Sequence, residues 1–389
     1  MMFSDLPRDL QAEILSRVQA RYLQQLKTTC KRWYTLFKDP GFLKKNLDRA
    51  GRGFISLMNS RVSSVSINLP GIHDSVDPSF DATGVLVSKN DPEDVKISDI
   101  FQCNGLLLCT TTDRRLVVWN PYTGQTRWIP NRSSNALFHK FVLGYEKEKE
   151  NCNSHHILRY KSFSLSPLGA EFDIYEFNSD SWRSFHDVSP ICTLQSKGVS
   201  LKGNTYWIAS DTEDPFGKFV LRFDFTTKKF GRLSLPFQTD DADGVVETAI
   251  LSVVREEKLA LLYERFDENT EDDPSEMKIW VTNTKIEEAK DLSWSSFLVV
   301  DFPKLMVTRM VNVSSFLVDE EKKMVVFCDV DTDVYLARAY IVGENIYQEI
   351  YKETTTRESF SLWPCLVSYA PSLVQIQQGQ VNPGCKRKR

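Results

Sequence analysis

A short aromatic-led run recurs along most of this chain, and it limits the possible folds more than any other feature. Trp119 opens WNPYTGQTRW, Tyr175 opens YEFNSDSW, Phe223 opens FDFTTKKF, Trp280 opens WVTNTKIEEAKDLSW and Tyr340 opens YIVGENIY. These openers stand 56, 48, 57 and 60 residues apart. In three units a second aromatic follows seven residues on, as Trp182, Phe230 and Tyr347. Such a run reads as a strand, a polar turn and a return strand whose aromatic comes back on the same buried side.

Each run is preceded by another apolar hairpin. Examples are Gly198–Ala209 (GVSLKGNTYWIA), Leu251–Tyr263 (LSVVREEKLALLY) and Phe316–Val330 (FLVDEEKKMVVFCDV). One repeat therefore holds about four strands in about fifty residues, the size of a propeller blade. A twisted four-stranded sheet cannot cover both of its own faces, so blades must stack around an axis. The sequence supports five units. A sixth forms if strands near Phe54–Leu69 close against Cys365–Ile376. A long irregular sandwich is the alternative architecture. The high aromatic content, 24 Phe, 13 Tyr and 8 Trp, agrees with a β-rich core.

The first fifty residues follow a different period. Leu6, Leu10, Ile14 and Val18 recur at intervals of four, with Leu15 widening the stripe, and Pro7 suits a first helical turn. Arg8, Asp9, Gln11 and Glu13 fall mostly on the other side. A second short helix carries Leu23 and Leu26, and a third carries Cys30, Trp33, Leu36 and Phe37 before the stop signal Asp39-Pro40-Gly41. A unit of this size cannot bury all of these side chains within itself. Its surplus apolar face must dock on the rest of the chain or on a partner.

The segment LPRDLQAEILSRVQARYLQQLKTTCKRWYTLFKDPGF resembles an F-box, matching the usual pattern from Leu6, Pro7, Asp9 and Leu10 through Cys30-Lys31-Arg32-Trp33 to Asp39-Pro40 and Phe42. Gln19 stands where a Pro is usual, and Tyr22 replaces the small residue that caps the second helix, a loss of about 1 kcal/mol. The resemblance implies binding to the Skp-type adaptor of a cullin-based ubiquitin ligase. Leu6, Pro7, Leu10, Ile14, Leu15, Leu23, Leu26, Cys30 and Trp33 would serve that contact or the packing behind it.

Cys103–Pro130 (CNGLLLCTTTDRRLVVWNPYTGQTRWIP) resembles the opening signature of the plant F-box-associated domain. FDIYEFNSDSW, VSLKGNTYW, FDFTTKKFG, LSVVREEKLALLY, MKIWVTN and WPCLVSYAPSLVQI follow in family order. This second resemblance implies a kelch-like β structure that selects proteins for ubiquitination.

The expected fold is therefore α+β in two parts: a helical module over residues 1–48 and a large all-β, propeller-like domain of five or six blades over 49–376. A polar, basic tail over 377–389 follows. Its closing Lys386-Arg387-Lys388-Arg389 is a short candidate for nuclear import, so the expected location is nucleus, cytoplasm or both.

Other function classes find little support. A formal net charge of −4 gives no reason to expect nucleic acid or an anionic membrane as a partner. No apolar run approaches the roughly 18 residues of a membrane span, and the opening MMFSDLPRDL lacks the pattern of a secretory leader. Eight cysteines contain no CxxC pair, and five of them (Cys103, Cys109, Cys192, Cys328, Cys365) sit in or beside strand-like runs as small hydrophobes. His155 and His156 are adjacent and would point to opposite sides of a strand. GxSxG, HExxH, Walker A and GxGxxG are absent. The acidic runs Thr239–Asp243 and Asp267–Glu276 read as solvated loops, or else as a rim for a basic substrate segment.

The expectation is a non-catalytic receptor without cofactor or metal. Its partners would be the Skp-type adaptor, a cullin scaffold through it, and a protein substrate that the sequence does not name. The alternatives are a ligase-independent scaffold and an enzymatic or sugar-binding propeller with a helical cap.

Overall fold

Consecutive strands of the large domain pair antiparallel almost throughout, so the hairpin is its building unit. The computed structural model describes residues 6–18, 26, 29–37, 39, 41–42, 44–46, 53–68, 79–85, 95–130, 139–147, 154–161, 172–184, 192–211, 217–237, 245–267, 276–283, 291–302, 313–331, 334–344, 346–354 and 364–377. The acidic runs and the basic terminus lie largely or wholly outside those residues.

The strands form six sheets, the blades of a propeller. Blade II holds β4 (Ile97–Cys103), β5 (Leu106–Thr111), β6 (Leu116–Trp119) and β7 (Thr126–Ile129). Blade III holds β8 (His139–Glu146), β9 (Ser154–Lys161), β10 (Phe172–Glu176) and β11 (Ser181–Ser184). Blade V holds β17 (Val245–Val254), β18 (Lys258–Asp267), β19 (Glu276–Thr282) and β20 (Trp294–Asp301). Blade VI holds β21 (Val313–Asp319), β22 (Met324–Asp331), β23 (Leu336–Gly343) and β24 (Ile346–Thr354). In blade IV the inner strand is split into β12 (Cys192–Leu194) and β13 (Val199–Leu201), both pairing with β14 (Asn204–Asp211). Strands β15 (Lys218–Asp224) and β16 (Lys229–Leu233) complete it.

Blade I closes the ring. Its β1 (Gly53–Met58), β2 (Arg61–Asn68) and β3 (Ser79–Val85) are joined by β25 (Cys365–Tyr369), with Phe54 opposite Ser368 and Leu57 opposite Cys365. The sixth unit thus forms from the two ends of the domain, as the sequence suggested. The aromatic openers all lie in the third strand of their blades: β6, β10, β15, β19 and β23. Blade I has no such opener in β2, which is why only five units stood out.

The second strands show why blades stack. They read as unbroken apolar runs because successive residues serve opposite neighbours. In β14, Trp207 and Ala209 enter the core shared with blades II and III, while Tyr206 and Ile208 enter the core shared with blade V. In β22, Val325 and Phe327 pack towards blade V, and Val326 and Cys328 towards blade I. Each fully buried side chain of this size contributes roughly 1.5–3 kcal/mol.

The paired aromatics meet as expected. Tyr175 stands opposite Trp182 and Phe223 opposite Phe230, with ring centroids 5.3 and 4.7 Å apart. A bulge at Ala339/Tyr340 shifts the register of blade VI, so Tyr347 stands opposite Val342, yet its ring still lies 5.3 Å from Tyr340. Two outer-strand tryptophans also latch blades together. Trp182 Nε1 donates to Pro130 O at 2.8 Å, and Trp294 Nε1 donates to Ser234 O at 2.9 Å.

Ahead of the propeller, α1 (Arg8–Leu15) and α2 (Lys31–Leu36) pack around Leu15, Phe37 and Phe42. Among the described residues, no helix is long and apolar enough to cross a membrane.

Candidate functional site

Two features of the molecule invite binding: one face of the helical module and the channel through the propeller. The helical core takes in Leu15, with Leu26, Trp33 and Leu36 half-buried against it. Leu10 and Ile14, one helical turn apart, stay 51% and 43% exposed. Pro7 is also exposed, and Leu6 is half-buried. The apolar stripe of α1 therefore splits. Leu15 supports the module from within, while Pro7, Leu10 and Ile14 form a ridge open to solvent.

Two residues behave differently from the periodic reading. Gln11 is buried, because its Nε2 donates to Leu6 O at 3.0 Å and fastens the chain entering α1. Cys30 is exposed and extended at the N-cap of α2, so that helix begins at Lys31. Tyr34 on α2 is 45% exposed, an apolar surface residue that the repeat pattern did not single out. Leu23 lies outside the described residues.

The module is tied to the propeller through Asn46. Its Nδ2 donates to Ser16 O at 2.7 Å and Val18 O at 2.8 Å, just past the end of α1. Its Oδ1 accepts from Tyr122 Oη at 2.6 Å, in the turn between β6 and β7. Asn120 organises that turn: its Oδ1 accepts from Tyr122 N and Thr123 N, and its Nδ2 donates to Ser372 O and Val374 O. Residues 370–377, which continue from β25, thus run across blade II beside the joint.

The channel is lined by the inner strands β4, β13, β17, β21 and β25 and counts about 750 Å³ out to its open mouth. Its walls are mostly apolar, with Ile250, Val253 and Phe316 among them. Among the described residues that line it, the one cation is Lys197, which forms an ion pair with Asp99 and lies 3.6 Å from Cys365 Sγ. Lys140 stands 3.6 Å from the other Asp99 oxygen. Burial pushes the Asp99 carboxyl up, but Lys197 and Lys140 together hold it below its ordinary value. Burial likewise opposes the charge on Lys197, yet Asp99 holds its pKa above the usual lysine value. Burial raises the Cys365 thiol, with Lys197 pulling the other way. At the mouth, Gln102 Nε2 donates to Glu256 Oε1 at 3.4 Å, with Lys202 nearby. Sequence reasoning missed this group, whose members lie up to 266 residues apart between Asp99 and Cys365.

The cysteines of the strands are buried and free: Cys103, Cys109, Cys192, Cys328 and Cys365. His155 packs against Tyr145 and Phe177, and His156 stacks on Phe225. Among the described residues, no group of three or more His, Cys, Asp or Glu side chains is arranged to hold a metal ion.

Comparison with known families decides what these two parts are. The F-box domain matches residues 3–45, and the F-box associated beta propeller domain matches residues 53–376. The chain is an F-box protein with an F-box-associated propeller. Two Arabidopsis thaliana relatives carry the name F-box/kelch-repeat protein. One is 66% identical over 391 residues, covering 100% of each chain, and the other is 51% identical over 390 residues, covering 98% of this chain and 97% of its own. Among solved structures, a nidogen/laminin complex is similar over 84% of this chain and 100% of its own at 9% identity and a TM-score of 0.39, too distant to carry an argument. F-box proteins of this build are generally adaptors rather than enzymes, and their F-box domains generally bind Skp-type adaptors.

Proposed function

We propose that this F-box protein is the substrate-receptor subunit of a cullin-based ubiquitin ligase. The ridge of Pro7, Leu10 and Ile14 takes the Skp-type adaptor, and the propeller holds a protein to be ubiquitinated. The exposure of Leu10 and Ile14 carries the reading. The helical core is already filled by Leu15, Phe37 and Phe42, and no strand of the propeller covers that ridge among the described residues. Exposed apolar side chains on one helical stripe are what a partner helix or groove would bury.

The chemistry asked of this chain is proximity. Held at two points, a substrate lysine reaches the ubiquitin-charged enzyme at a high effective concentration, without a catalytic residue from this protein. The joint at Asn46 and Tyr122 supports such a role, since a fixed angle between module and propeller sets where the substrate is presented.

Proximity labelling in proteasome-inhibited cells tests the reading, comparing the full chain with a Leu10→Asp/Ile14→Asp variant. The expected result is loss of adaptor and cullin from the variant's neighbours while propeller-dependent neighbours remain. Retention of adaptor and cullin by the variant would refute it.

A further inference from the structure

Three inner strands are irregular at the same level of the channel. Strand β4 is bulged between Ile97 and Asp99, and β21 between Val313 and Ser315. Blade IV breaks its inner strand at residues 195–198, just before β13. Asp99, Lys197, Ser315 and Cys365 each lie four residues before the end of their inner strand, or of the strand that follows the break. Bulges re-aim side chains, and they concentrate next to functional sites. The break at blade IV is held in place: Gln195 N donates to Ile208 O at 2.8 Å, and Ile208 N donates to Ser196 Oγ at 3.0 Å. Gly198 is pressed so close to Trp207 that a Cβ there would sit 2.5 Å from the indole nitrogen. These contacts turn Lys197 into the channel.

We propose that the channel binds a small monocarboxylate with an apolar body, its carboxylate on Lys197 and its body between the walls of β13 and β17.

Charge and shape support this class of ligand. Lys197 lines the cavity, whereas Asp99 does not. An ammonium has three donors. Asp99 takes one, and the Cys365 thiol at 3.6 Å is a weak acceptor for a second. Asp99 is shared between Lys197 and the half-exposed Lys140, which lies outside the cavity lining, so it does not fully neutralise the Lys197 ammonium that faces the cavity. Glu256 also lines the cavity, but near the mouth, where its Oε1 accepts from Gln102 Nε2. The walls favour an apolar body, with Ile250, Val253 and Phe316 facing the cavity. A phosphate would require several free donors or a guanidinium fork; among the described residues this wall offers one ammonium, and the lining hydroxyls of Ser252 and Ser314 already donate to backbone carbonyls. The site does not depend on the ligase reading. A ligand here would act on the propeller whatever binds the helices.

Titration calorimetry on the full chain tests it with phenylacetate, phenylacetamide and inorganic phosphate as probes. Phenylacetate is expected to bind, the isosteric amide at least about tenfold more weakly, and phosphate weaker still. Val253→Phe narrows the cavity without touching the ion pair and should weaken phenylacetate binding. Lys197→Met combined with Asp99→Asn removes both charges together and should abolish the preference for acid over amide. The acid–amide comparison on the unaltered chain decides the matter even if a variant does not fold. No phenylacetate binding at about 10 mM, equal binding of the amide, or tighter binding of phosphate would overturn the proposal.

Discussion

Tyr122 Oη donates to Asn46 Oδ1 at 2.6 Å, and both side chains are buried where the F-box meets the propeller. The same Asn46 amide group also holds the carbonyls of Ser16 and Val18, so one side chain joins the end of α1 to blade II. Tyr122→Phe leaves a buried acceptor unpaired and is expected to destabilise the joint by about 1–3 kcal/mol. Hydrogen exchange read segment by segment checks this. Amides of α1 should lose protection, while those of β17 and β18 keep theirs.

The segment after β25 is expected to hold blade II as well as close the ring. Asn120 is fully buried, and its side chain makes four hydrogen bonds, two within its own turn and two to the carbonyls of Ser372 and Val374. Asn120→Leu removes all four and should lower stability by about 2–4 kcal/mol. Gly105→Ala attacks the same segment from the other side. Gly105 has φ of +73°, and a Cβ there would lie 2.3 Å from the Ser372 Cβ. Thermal unfolding of both variants should show lowered midpoints, with proteolysis near residue 370 appearing first.

Stability should fall on mild acidification, and His155 gives the reason. Burial pushes its pKa down to about 4, with His156 adding to the shift. The imidazole is neutral in the folded chain and ionises freely in the unfolded one, whose ordinary value lies near 6.5. The unfolded state therefore binds more protons below about pH 6.5, and stability declines until the folded value near 4 is passed. The full effect is on the order of 3 kcal/mol. His155→Phe suits the pocket between Tyr145 and Phe177 and should flatten that part of the profile. Urea midpoints measured between pH 7.5 and pH 4.5 decide it. Equal slopes for the two proteins would remove His155 from the account.

Local patterns made much of this fold legible in the sequence. Trp119, Tyr175, Phe223, Trp280 and Tyr340 could be placed because a third strand faces a return strand a few residues away. Hairpin turns such as Lys202-Gly203-Asn204 and Glu320-Glu321-Lys322 could be placed for the same reason. Closure of blade I was inferred only from what remained at the two ends, since Phe54 and Ser368 carry no shared signature. The helical ridge was legible as periodicity, but periodicity treated Leu15 and Leu10 alike and put Gln11 among the outward polar residues. Burial separated them, and burial depends on Phe37 and Phe42 arriving from elsewhere. The channel group had no sequence signal at all. Asp99, Lys197 and Cys365 come from three blades, and each looks ordinary in its own strand.

The central claim is that the open ridge on α1 is an adaptor-binding surface. Equilibrium binding of the purified full chain to a Skp-type adaptor tests it most directly, with wild type set against Leu10→Asp/Ile14→Asp. Both substitutions are at exposed positions, so the propeller's melting temperature should not change. The account predicts binding by the wild type and a loss of at least about a hundredfold in the variant, as expected when two central apolar contacts are replaced by charges. Equal affinity for the two proteins, with both propellers folded, would contradict it.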